Sequence, residues 1–116
     1  MKNHPHKLHP ILDKPHEYAI CDFSYHIERE APAQSFITLT LQKGAELVTL
    51  RFWQPSELKI EPGFPEPTRG MVFYDRSADG LEDIRVEVAD VEASWGAITF
   101  YAHSVEKIPS PNGVLP

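Results

Sequence analysis

One cysteine, Cys21, is all the sulfur chemistry this chain has beyond methionine, so no internal disulfide can form and a disulfide scaffold is excluded. No stretch approaches the roughly 20 apolar residues that cross a bilayer as a helix, and no basic segment followed by a long apolar run opens the chain as a signal peptide does. A cytoplasmic location is therefore expected. The six glycines fall in no phosphate-cradling loop, and no nucleophile elbow, HExxH or CxxC occurs. No cofactor is expected, and the reading leans away from an enzyme. A helical hydrophobic period longer than a turn or two is also missing.

What is present describes one globular domain. A length of 116 residues is enough to bury a core without metal or disulfide staples. The hydrophobic share of 41% and charged share of 24% exclude disorder of the whole chain. The net charge of −6 is unevenly placed: residues 1–58 carry six Lys/Arg against seven Asp/Glu, residues 59–116 five against ten. Such a field repels phosphates and membrane surfaces and attracts a basic partner, so neither nucleic acid nor membrane is an expected partner.

Where apolar residues recur, the period is two, as on a strand with one buried face. In residues 18–28 the row is Ala19, Cys21, Phe23, Tyr25 and Ile27; in 35–43 it is Ile37, Leu39 and Leu41. Lys43 to Glu46 make a turn into 47–53, where Val48, Leu50 and Phe52 form the row, and this pair is the clearest hairpin. Residues 54–70 contain Pro55, Pro62, Pro65 and Pro67 and leave room for only a short strand over 58–61. Further strands are expected over 71–75, around Ile84, Val86 and Val88, and over 97–103 with Ile98, Phe100 and Ala102 inward. Asp75, Ser77, Asp79 and Gly80 supply turn chemistry between two of them. The fold class is thus all-β, a single-domain antiparallel β-sandwich or partly open barrel of about six or seven strands. Residues 1–14 read as a flexible His- and Pro-containing arm, 15–109 as the β domain and 110–116 as a disordered tail.

Candidate chemistry is sparse. His4, His6 and His9 have spacings at which imidazoles can converge on a metal, yet an exposed polar arm explains them, and no metal site is assigned. Cys21 with His26 or His103 would need a thiol within reach of an imidazole; Cys21 lies in the apolar row and His26 in the polar one, so a buried structural cysteine is expected. Asp75, Asp79, Glu82, Asp83, Glu87, Asp90 and Glu92 lie in one stretch with only Arg76 and Arg85 as counter-charges, and they spell neither a calcium loop nor a defined acid–base pair. The proline-stiffened excursion presents Phe64 and Arg69, residue types that anchor interfaces. Trp53 and Tyr101, out of register with their apolar rows, belong either to that surface or beneath the excursion.

The expected function is accordingly a non-enzymatic protein–protein interaction module, in one form an antidote-like binder of a basic protein such as a nuclease. Its surface is Asp75, Asp79, Glu82, Asp83, Glu87 and Asp90, with Phe64 and Arg69. The partner is a protein, basic in the first instance, or a second copy of the chain. The rival is a small-molecule-binding or hydrolytic β-barrel with a pocket lined by Phe52, Phe73 and Phe100, and the discriminating feature is a deep pocket with convergent polar groups.

Overall fold

The computed structural model describes residues 6–65, 70–92 and 95–109. In them nine strands follow in chain order: β1 (Lys7–Leu8), β2 (Ala19–His26), β3 (Phe36–Lys43), β4 (Glu46–Trp53), β5 (Ser56–Ile60), β6 (Met71–Asp75), β7 (Val86–Asp90), β8 (Ile98–Ala102) and β9 (Ser104–Ile108). They form two antiparallel sheets, ordered β1-β6-β7-β8-β5 and β2-β3-β4-β9, in a sandwich-like arrangement. No helix among the described residues is long and apolar enough to cross a membrane.

The period-two rows become the inner faces. The β3–β4 hairpin pairs Ile37 with Phe52, Leu39 with Leu50 and Leu41 with Val48. Gly44 supplies the left-handed φ of 61° in its two-residue loop. From the other sheet come Met71, Phe73, Val86, Val88, Ile98, Phe100 and Ala102, all buried in the same cluster. Every residue that the apolar rows of β4, β7 and β8 send inward is thus in the core.

Of the nine strands, β1 and β9 have no counterpart among the expected segments, and two corners carry the chain from one sheet to the other. Trp53 ends β4, Gln54 takes a left-handed φ of 54°, and Ser56 begins β5 in the opposite sheet. The strand expected over 97–103 stops at Ala102; His103 turns the chain, and β9 joins β4 instead. The corners are tied together by the His103 amide, which donates to the Trp53 carbonyl at 2.8 Å. Such corner-turning is how sandwich strands pass between sheets without leaving backbone groups unpaired.

Residues 1–14 depart most from expectation. From His6 onward, where the structure describes it, this segment is docked. Lys7 and Leu8 pair with Asp75 and Tyr74, the His9 amide donates to the Phe73 carbonyl at 2.9 Å, and Leu12 joins the core at 7% exposure. Short apolar side chains interrupted by prolines carry no periodic signal, yet Leu12 and Pro15 are both buried. Beyond it, Glu17 reaches Lys43 at 2.8 Å and the Tyr18 hydroxyl donates to Glu46 at 2.9 Å, fastening the chain to the β3–β4 turn. The tail, 110–116, lies outside the described residues, as does His4.

The docked arm is expected to make stability pH-dependent. His9 Nδ1 accepts the Ile11 amide at 3.1 Å, so the neutral ring carries its proton on Nε2. Burial lowers the His9 pKa, against a smaller opposing pull from Asp75. A lowered folded-state value means that its contribution is present above the unfolded histidine value of about 6.5 and is lost as pH falls through the folded value. Thermal midpoints at pH 7.5 and 5 should therefore fall further in wild type than in His9→Gln. Equal falls would remove His9 from this account.

Candidate interaction surface

The acidic stretch is divided by the strand that runs through it. Glu87 stands on the outer face of the five-stranded sheet, in register between Tyr74 and Tyr101. Asp90 closes the far end of β7, opposite Met71. Asp75, the last residue of β6, and Asp79, Glu82 and Asp83 of the connection to β7 lie at the near end. Four residue steps at about 3.3 Å each separate the two ends of β7, so the six carboxylates form a band rather than one cluster.

Several of them already have partners. The Arg76 guanidinium, well shielded from solvent, pairs with both Asp79 and Glu87, and these contacts raise its pKa, the Asp79 hydrogen bond foremost. Glu87 is consequently a half-buried structural anion, not merely part of a solvated face. Asp75 accepts the hydroxyl of Ser77 at 2.6 Å and its amide at 2.9 Å, which lowers the Asp75 pKa, and Lys7 lies 3.9 Å away. Asp90 accepts the Glu92 amide at 2.9 Å. Glu82 and Asp83 are exposed and have no ion pair or side-chain hydrogen bond among the described residues. They carry the uncompensated charge of the surface.

The excursion contributes differently from expectation. Phe64 is packed rather than displayed: its ring meets Phe23 edge to face at 5.8 Å and sits against the core. The Phe64–Pro65 peptide is cis. Gly63 passes so close beneath Trp95 that a Cβ there would lie 2.2 Å from the indole. Arg69 lies outside the described residues.

The thiol–imidazole reading and the buried-cysteine reading both meet a β-bulge. The β2–β3 register shifts between Ile20, opposite Leu41, and Asp22, opposite Thr40. Cys21 is the extra residue and is exposed, while Ile20 takes its place facing the core. A bulge inserts one residue and so flips the alternation on one side of it, which is why the row of Ala19, Cys21 and Phe23 misleads. His26 is occupied elsewhere, stacking on Phe36 and reaching Glu28 at 3.3 Å.

Phe52, Phe73 and Phe100, the rings expected to line a pocket, pack together in the core of the described residues. Phe52 meets Phe73 and Phe100 edge to face at 5.7 and 5.0 Å, and all three rings are 2% exposed or less; they fill the core against one another. A polar hollow of about 280 Å³ does lie at one end of the sandwich, among His9, Asp75, Ser77, Arg85 and His103. The Ser77 hydroxyl in it donates to Asp75, a carboxylate whose pKa that bond lowers, so its acceptor is a weak base rather than an imidazole. No group of three or more metal-ligating side chains converges among the described residues.

No family model, curated protein or solved structure matches this chain.

A second cluster had no clear signal in the sequence. Trp53 lies on the outer face of the four-stranded sheet, whereas the acidic band runs along the other sheet. Trp53 stands next to Phe36, 5.1 Å away, and its indole N–H donates to Glu106 at 2.8 Å. Phe36 in turn carries the Arg51 guanidinium 4.3 Å from its centroid. The only prior hint was that Phe36, Arg51 and Trp53 fall on the polar side of their strands. Which of these residues meet across strands depends on a register that one strand alone does not reveal.

Proposed function

We propose that this chain is a non-enzymatic interaction module that docks a basic protein against the outer face of its five-stranded sheet. The observation that carries the reading is the pair of free carboxylates, Glu82 and Asp83, at the head of a face whose central row is Tyr74, Glu87 and Tyr101. Fixed partners for Asp75, Asp79 and Glu87 give that face defined geometry, while the free pair supplies long-range attraction. Tyrosines flanking a fixed carboxylate are residue types enriched where partners bury surface. A shallow trough of about 290 Å³ on the same face, among Glu57, Lys59, Glu87, Asp90 and Tyr101, would accept one basic side chain of the partner. An exposed free thiol at Cys21 suits a reducing compartment, and a cytoplasmic setting is part of this proposal.

The test separates charge from fold. Glu82→Lys with Asp83→Lys should change stability by no more than about 0.5 kcal/mol, since exposed, unpaired charges contribute little. Proteins captured on the wild-type chain from a lysate of the native organism should be lost on the double variant. Calorimetry with the captured protein should show weakened binding whose deficit shrinks as salt rises. Equal affinity for both chains at low and physiological ionic strength would remove the acidic band as the docking surface.

A further inference from the structure

The outer face of the four-stranded sheet carries a cation that the fold leaves unanswered. Arg51 stands directly opposite Glu106 in the β4–β9 register, the arrangement in which a cross-strand ion pair is expected. The pair does not form. Glu106 is held instead by the Trp53 indole N–H, and Arg51 leans the other way, over Phe36 at 4.3 Å and within 5.6 Å of Trp53. Arg51 makes no hydrogen bond and no ion pair among the described residues, and its Nε is shielded from solvent with no acceptor.

Stacking on a ring uses the face of a guanidinium and leaves the in-plane N–H donors of its two Nη atoms, unlike the shielded Nε, for a planar oxyanion in a forked pair. The aromatic rings themselves are engaged with one another. His26 stacks on Phe36 with centroids 4.9 Å apart and planes 25° apart, and Phe36 meets Trp53 edge to face. With the Phe36 ring met by His26, Trp53 and the guanidinium, the cluster is poorly suited to stacking a sugar or a nucleobase. A polyphosphate is disfavoured by Glu106 at the flank and by the net charge of −6. A single carboxylate on a neutral backbone fits on both counts.

We infer that Arg51, held by Phe36 and Trp53 on the outer face of the four-stranded sheet, is a receptor for a carboxylate side chain of an acidic peptide segment. This site is distinct from the acidic band, lies on the other sheet and takes a partner of opposite charge. Trp53 has a defined part in it: by binding Glu106 it keeps the neighbouring carboxylate from occupying Arg51 from within.

The experiment is an NMR titration of the full chain, following the Arg51 side-chain Nε–H resonance. The probe is an acetylated, amidated Gly-Glu-Gly-Glu-Gly peptide, with its glutamine counterpart as control. The expected result is a saturable shift with the glutamate peptide and affinity at least about fivefold weaker for the glutamine peptide, since a charged acceptor makes the stronger hydrogen bond. Arg51→Lys keeps the charge and loses the planar fork, and should weaken binding by about fivefold or more, read from backbone amides. Glu106→Gln alters an exposed residue without threatening the fold and should tighten binding about two- to threefold by removing the competing charge. Equal affinity for the two peptides, or Glu106→Gln without effect, would overturn the assignment. So would inorganic phosphate binding more tightly than the glutamate peptide.

Discussion

Truncation of Phe52 to alanine is expected to lower the unfolding free energy by about 3–5 kcal/mol, the range for removing a large aromatic side chain from a packed core. Phe52 is fully buried and is the one ring that touches both Phe73 and Phe100 edge to face. It therefore joins β4 of one sheet to β6 and β8 of the other. Edge-to-face pairs add about 0.5–1.5 kcal/mol beyond area burial, which places the site in the upper part of that range. Phe100→Ala should fall in the same range, and the double variant should cost less than the two singles together because their contacts are shared. Urea unfolding with an unchanged m-value is the measurement. A loss below about 1 kcal/mol for Phe52→Ala would mean that the two sheets are not packed through this residue.

The sandwich was legible in the sequence where alternation ran unbroken. The row Val48, Leu50, Phe52 and its partners Ile37, Leu39, Leu41 lie inward with no slip in register, because one buried face specifies register strongly. Legibility failed where a single backbone event reset the alternation. The bulge at Cys21 turned a buried row into an exposed thiol, and the corner at His103 divided one apparent strand between two sheets. Neither event has a residue type that announces it: no glycine or proline stands at Cys21 or at His103. The acidic stretch was legible as charge but not as arrangement, since the capture of Asp79 and Glu87 by Arg76 depends on a turn folding back onto β7. The Arg51 cluster was hidden for a similar reason. Phe36 and Arg51 are fifteen positions apart, and only the hairpin register brings a guanidinium over that ring.

Deletion of residues 1–14 is expected to destabilise the domain substantially, contrary to what a chain segment without apolar period suggests. Leu12 is buried in the core cluster with Met71 and Phe73, and the same segment borders a hollow of about 420 Å³ lined by Leu8, Pro10, Leu12, Pro15, Met71 and Phe73. Removing the arm opens that hollow to solvent, so apolar surface of β6 becomes exposed, and it frees the edge of β6 that Lys7, Leu8 and His9 satisfy with backbone pairing. Ordering the arm costs conformational entropy of about 1–2 kcal/mol per residue, which deletion would return, so the net loss is smaller than the sum of the contacts. Leu12→Ala avoids that offset. It should cost about 2–5 kcal/mol, as a leucine truncated in a core that only partly collapses, and lower the thermal midpoint by on the order of 10 °C. His16→Ala, exposed and beyond the buried pair, is the control and should change stability by less than about 0.5 kcal/mol. An unfolded edge on β6 would also raise self-association, because an unpaired strand edge is a template for another chain, and light scattering of the deletion variant should detect it. If Leu12→Ala leaves the midpoint within a degree of wild type and the deletion variant stays monomeric, the arm is not part of the core.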